Sequence, residues 1–231
     1  MSLQTKPIEL YFWPTPNGFK VSIFLEELDI PYVTKPINIG AGDQFKPEFL
    51  AFSPNNRMPA IIDPEGPDGE PITVFESGAI LQYLGRKFGA FYPSDERSRV
   101  QTEEWLMWQM GGFGPMLGQN HHFNKYAPET IPYAQKRYTD ETHRLYGVLD
   151  RQLAGKNYIT GEYSIADMAS IGWAQGWEAQ KIDLAEFPNV KRWLDIMAAR
   201  PAVVRGLAVG SDLRKPMSDE DKKVLFNQRA G

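Results

Sequence analysis

The apolar positions of the first part of the chain alternate between a strand period and a helix period. Ile8-Glu-Leu-Tyr-Phe-Trp13 is a run of aromatic and branched residues that predicts a strand, and Pro14-Thr-Pro-Asn-Gly18 ends it. From Phe19 to Leu28 the spacing lengthens. Val21, Phe24, Leu25 and Leu28 fall on one helical stripe, with Asn17 where an N-cap is expected. Tyr32 to Ile37 predicts a second strand, and two strands joined by a helix imply a parallel pair with a right-handed crossover. Pro47 to Leu50 reads as a short helix and Ser53 to Pro59 as a loop. Ala60–Asp63 and Ile72–Phe75 read as an antiparallel hairpin across the turn formers Pro64 to Pro71. Ser77 to Phe88 is helical again, with Ile80, Leu81, Tyr83, Leu84 and Phe88 on its apolar side.

Beyond Gly89 the strand period disappears. Helices are predicted over Glu96–Met110, Met116–Phe123, Ile131–Leu153, Ile165–Trp177 and Val190–Ala199, with Gly111-Gly-Phe-Gly-Pro115 separating the first two. Residues after Ser211 are polar and read as peripheral. The pattern therefore predicts a mixed α/β domain over 7–92, of element order βαβαββα. An all-α helical domain over 97–215 and a polar tail over 216–231 follow.

Composition narrows the function classes. At 231 residues and 42% hydrophobic, the chain is long enough for one large domain or two modest ones, each with a core. A net charge of −4 without blocks of like charge argues against a nucleic-acid surface and a polybasic membrane anchor, and leaves room for a local anion site. No apolar run is long enough to span a bilayer, and the start lacks a signal-peptide core. Cysteine is absent, which removes disulfides, thiolate metal sites and a cysteine nucleophile, and a cytoplasmic protein is the simplest expectation. His121, His122 and His143 are the remaining soft ligands. Neighbours on a helix do not share a face, so no metal site is expected.

Candidate chemistry gathers in the loops of the first domain. Tyr11-Phe-Trp-Pro-Thr-Pro-Asn-Gly18 lies at a strand-to-helix junction, where open α/β sheets bind ligands. There Thr15 offers a hydroxyl, Asn17 an amide and the helix its free N–H groups, a set suited to a thiolate or small anion. Alternatively, Asn17 only caps the helix. Met58-Pro59 precedes a strand, and a cis bond there would turn the Met58 backbone toward a ligand strand. Phe75-Glu-Ser-Gly78 places Ser77 at a helix start beside Glu76, which suits the carboxylate and ammonium of an α-amino acid end; here too capping is the alternative.

Met58-Pro-Ala-Ile-Ile62, Glu76-Ser-Gly-Ala-Ile-Leu81 and the capping motif Ser164-Ile-Ala-Asp167 resemble the glutathione transferase family, over nearly the whole length from Leu10 to Pro201. Thr15-Pro-Asn-Gly18, Ser53-Pro-Asn-Asn-Arg57 and the block from Gly111 to Phe123 are similar to its nu-class, disulfide-bond oxidoreductase branch. That branch also resembles the folded domain of the yeast nitrogen-regulator prion protein. The resemblance implies a thioredoxin-like N-terminal domain, a helical C-terminal domain and a homodimer. It implies no metal, and glutathione as bound co-substrate, held by Thr15, Asn17, Gln44, the Met58 backbone, Glu76 and Ser77. Arg137 corresponds to an arginine that helps hold a second glutathione, in a pocket shaped with the His121–His122 region. Thr15 and Asn17 take the catalytic role. Tyr11 occupies the place where tyrosine-type relatives keep a thiolate-stabilising hydroxyl, or else is a strand residue with a buried ring.

Three functions follow from that resemblance. The leading one is reduction of a small disulfide by two bound glutathiones, since both sulfurs must come from the ligand. The second is conjugation to an apolar electrophile in a pocket lined by Trp105, Trp108, Phe113 and Met116, unless these aromatics are core. The third is a glutathione-binding regulatory protein without turnover.

Overall fold

The computed structural model describes residues 4–214, 216 and 218–226, so the tail read at 216–231 falls partly outside the described residues. Two compact units are present. The described residues up to Phe88 and those from Ala202 onward make the first, and Gly89–Pro201 the second.

The first unit opens with β1 (Ile8–Phe12), α1 (Pro16–Glu27) and β2 (Tyr32–Pro36). After the short α2 (Pro47–Leu50) come β3 (Ala60–Asp63), β4 (Ile72–Phe75) and α3 (Ser77–Phe88). The four strands lie in the order β2-β1-β3-β4. β1 runs parallel to β2 and antiparallel to β3, which pairs antiparallel with β4, so the crossover and the hairpin form as the pattern predicts. Strand alternation buries Ile8, Leu10 and Phe12 on one face and turns Glu9 and Tyr11 to the other.

Helix α1 starts earlier than the apolar stripe suggests. Thr15 is its extended N-cap (φ −124°, ψ 162°) and Pro16 occupies the first helical position, where a fixed φ and a missing N–H cost nothing. Asn17 therefore lies inside the first turn and is not the cap. Gly18 follows, because a Cβ there would strike the Trp13 carbonyl and come within 2.8 Å of the Phe12 ring.

Two further helices, α9 (Pro201–Ala208) and α10 (Asp219–Leu225), pack with this unit. The sequence reading carries the helical domain on to 215. The physical reason for the difference is Gly206, whose α9 backbone comes so near α1 that a Cβ would lie 2.6 Å from Ile23 Cα. Ser22 Oγ donates to the Gly206 carbonyl at 2.8 Å, and Arg205 pairs with Glu26 at 2.7 Å. A Ser218–Asp221 capping box starts α10 within residues read only as polar.

The second unit is helical. It contains α4 (Glu96–Trp108), α5 (Gly114–His121), α6 (Pro132–Gln152), α7 (Ile165–Ala174) and α8 (Pro188–Ala198). The expected break at 111–115 is a π-helical turn over Gln109–Phe113, in which the Gly114 N–H reaches back five residues to the Gln109 carbonyl. A second π turn, His122–Tyr126, follows α5. The widened turns carry the chain through the glycine pair and Pro115 without a stop. Asp167 is fully buried and ties the core, accepting from the N–H groups of Ile159 (2.9 Å) and Ser164 (3.1 Å) and from Trp193 Nε1 (2.9 Å). Among the described residues no strand follows β4, and no helix is long and apolar enough to cross a membrane.

Candidate glutathione site

Three segments of the first unit frame the site. The first is the turn from β1 into α1. The Thr15 side chain accepts from the Gly18 N–H at 3.3 Å, and its hydroxyl lies 3.5 Å from Met58 Sδ. Asn17 sits partly exposed on the first turn beside it, so hydroxyl, amide and the positive helix end share one short stretch.

The second segment leads into β3. Ser53 Oγ donates to the Arg57 carbonyl at 2.9 Å and holds the loop, and the Met58–Pro59 bond is cis. Met58 packs with Ile37, Phe49 and Ala60, and Tyr11, Trp13 and Phe52 rest against that cluster. Gln44 is almost fully buried nearby in sequence, in the turn before α2. Its amide donates to the Ile39 carbonyl at 3.1 Å, and its Oε1 accepts no hydrogen bond among the described residues.

The third segment is the junction of β4 and α3. Glu76 holds a left-handed backbone (φ +68°), uncommon for a residue with a side chain and often found where a site demands it. Asn55 Nδ2 donates to Glu76 Oε1 at 3.1 Å, which ties the Ser53–Arg57 motif to the acidic residue. Ser77, 4% exposed, begins α3 and accepts from Lys20 Nζ at 3.3 Å.

Tyr11 is committed elsewhere. Its hydroxyl donates to Glu9 Oε2 at 3.0 Å, two residues along the same strand face. Burial and the Glu9 carboxylate push its ionisation up to about 12, and its ring meets Phe52 edge-on at 4.6 Å.

Arg137 lies in the second unit, on α6. It lines a cavity of about 560 Å³ with Met116, Tyr133, Lys136 and Arg144, and with the acidic Asp140 and Glu141. Arg144 is engaged twice by Glu141, through Nε and Nη2, both at 2.7 Å. This pairing, with help from Arg137, holds the Glu141 carboxyl below its ordinary range. Of the residues expected to line an apolar pocket, only Phe113 is core; Trp105 and Trp108 are partly exposed, and Met116 belongs to the cavity beside Arg137. Trp108 stacks on the fully buried Phe113, which packs against Tyr146. His121 is half-buried against Trp173, and burial holds its basicity down. No group of three or more His, Asp or Glu capable of holding a metal occurs among the described residues. Lys20 is the residue that sequence reasoning missed: its position inside an apolar helical run was the available signal.

A four-stranded mixed sheet with two helix starts and a cis proline beside it, followed in the chain by a helical unit, defines a thioredoxin-like domain joined to an all-helical one. Residues 6–86 match the N-terminal domain model of glutathione S-transferases and residues 120–201 the C-terminal domain model. The chain belongs to the glutathione transferase superfamily, in the branch of the Escherichia coli proteins YfcG and YghU. It is 51% identical to disulfide-bond oxidoreductase YfcG of E. coli K12, over 92% of this chain and 98% of that one. With disulfide-bond oxidoreductase YghU the identity is 44%, over 88% and 75%. Among solved structures, a Burkholderia graminis glutathione transferase with two glutathione molecules bound per subunit superposes with a TM-score of 0.84 at 46% identity, covering 88% of each chain. A Pseudomonas putida transferase with one glutathione disulfide per subunit gives 0.85 at 44%, covering 88% and 91%.

Proposed function

We propose that this chain is a glutathione-dependent disulfide-bond oxidoreductase whose reacting sulfurs both come from glutathione. The observation that carries this reading is the Thr15–Asn17 turn at the start of α1 in a chain without cysteine: donors suited to a thiolate stand where the protein has no thiol. The relatives crystallised with two glutathiones or with glutathione disulfide support the same stoichiometry.

In the proposed reaction, Thr15 Oγ1, Asn17 and the α1 N-terminus stabilise the thiolate of a first glutathione. That thiolate attacks one sulfur of a substrate disulfide. A glutathione mixed disulfide forms, and the other substrate sulfur leaves as a thiolate that takes up a proton. A second glutathione thiolate attacks the glutathione sulfur of the mixed disulfide, releasing the second substrate thiol and glutathione disulfide. Two electrons pass from two glutathiones to one disulfide, and no protein group changes its redox state.

The first glutathione is held through its γ-glutamyl end by Glu76 and Ser77, through the Met58 backbone and by Gln44. Arg137 binds a carboxylate of the second. Arg137 gives the cavity on α6 a cationic group that suits a carboxylate of the second glutathione. The protein works as a cytoplasmic homodimer. Asn17→Ala should lower kcat/KM for a small disulfide by about tenfold or more, the scale of one lost charge-stabilising donor. Unchanged turnover in the folded variant would refute the assignment.

A further inference from the structure

Lys20 is a charge in an unusual place. It lies in the middle of the buried stretch of α1, from Gly18 to Leu25, and is 1% exposed. Its Nζ crosses to α3 and donates to Ser77 Oγ at 3.3 Å. Such a group costs the fold free energy, because desolvation opposes its charged form. Burial pulls its ionisation down to about 7, and the nearby Glu76 carboxylate pulls it back up. The cation is thus directed at the start of α3 from the protein side, behind the residues that face the γ-glutamyl end.

We propose that Lys20 is the positioning residue for the α-carboxylate of the glutathione γ-glutamyl end: it fixes the Ser77 hydroxyl from behind and supplies a buried positive charge to the anion that Ser77 and the α3 N-terminus receive. This rests on the reading of Glu76 and Ser77 as the γ-glutamyl site. A serine oxygen that accepts from an ammonium is polarised to donate its own proton onward, and a carboxylate is the acceptor that gains most from that. The helix end and the lysine add fields of the same sign. Glu76, whose carboxylate favours the charged lysine in the free protein, is released from that role toward the ligand's ammonium when the carboxylate arrives. One buried lysine therefore serves both halves of an amino-acid head group without touching it.

The test pairs the lysine with the ligand group it serves. Calorimetric affinities are measured for glutathione and for its analogue lacking the α-carboxylate, 4-aminobutyryl-cysteinyl-glycine, with the full chain, Lys20→Met and Ser77→Ala. Lys20→Met fills the same volume with an apolar group, so its folding stability should equal or exceed that of the parent. Its Kd for glutathione should rise about tenfold, while its Kd for the analogue stays within about twofold of the parent's. A structural role would move stability, or both ligands together. Lys20→Gln provides the same comparison if the methionine variant folds poorly. Parental glutathione affinity in a folded Lys20 variant, or equal losses for both ligands, would overturn the inference while leaving the γ-glutamyl site standing. Undiminished glutathione affinity in Ser77→Ala, or equal parental affinity for both ligands, would overturn the site reading itself, and the role of Lys20 with it.

Discussion

The hydroxyl of Thr15 lies 3.5 Å from the thioether sulfur of Met58, across 43 residues of sequence. The contact joins the cap of α1 to the residue before the cis proline that precedes β3, which the sequence presents as separate loops. A thioether is a weak acceptor and a thiolate a strong one. The arrangement thus shows a hydroxyl donor already directed at a soft sulfur, where the proposed reaction needs it to serve an ionised one. Gly18 makes the close approach possible, since any Cβ there would also come within 3.0 Å of the Met58 methyl group.

Tyr11 should be dispensable for thiol activation. Its hydroxyl is engaged by Glu9, and an ionisation raised to about 12 keeps it protonated throughout the working range. Tyr11→Phe should therefore retain disulfide reductase kcat/KM within about threefold, far short of the loss expected for a charge-stabilising donor. A loss of about a hundredfold, measured on the folded variant, would transfer the role from Thr15 and Asn17 to the tyrosine.

Lys20 should make stability depend on pH. Its folded ionisation lies near 7 against an ordinary value of 10.5, so between those limits the unfolded chain binds more protons at this site. The contribution to stability is full above the ordinary value and is lost as pH falls toward the folded one. Urea unfolding across this range should show Lys20→Met gaining on the parent as pH drops, with the gap widest at the neutral end. A gap independent of pH would mean that burial does not shift the ionisation of this lysine.

The elements legible in the sequence were those with a clean period. The strands, the hairpin, α3 and the long α6 come out within a residue or two: β1, β3, α3 and α6 bury residues in a core, and the edge strands β2 and β4 are marked by branched residues between turn formers. Three features were not legible, each for a physical reason. Thr15 was hidden as the cap of α1 because Pro16 can occupy a first turn as readily as it ends a strand. The bend at 109–113 looked like a break, since glycine and proline spacing does not distinguish a π turn from a loop. The assignment of α9 rests on a backbone approach between Gly206 and Ile23, which no local pattern encodes. For the candidate site, the Glu76–Ser77 and Thr15–Asn17 turns were legible as residue types. What the sequence did not show is that Asn55 holds Glu76, that Lys20 reaches Ser77 and that Glu9 claims Tyr11.

Asp167 should matter to folding and not to chemistry. It is fully buried in the second unit and accepts from Ile159, Ser164 and Trp193, so removing it strands several donors at once. Asp167→Ala should cost about 3 kcal/mol or more in denaturant unfolding. Glutathione affinity of the molecules that remain folded should be unchanged. A loss below about 1 kcal/mol would show that water replaces the carboxylate among those donors.

The most direct measurement follows ionisation of the bound tripeptide's thiol by its thiolate absorbance, as pH is raised over the protein saturated with glutathione. The account predicts a transition below the value of about 8.5 for a free thiol, shifted back toward that value in Thr15→Val and in Asn17→Ala. A bound thiol that titrates like free glutathione in the parent protein would contradict it.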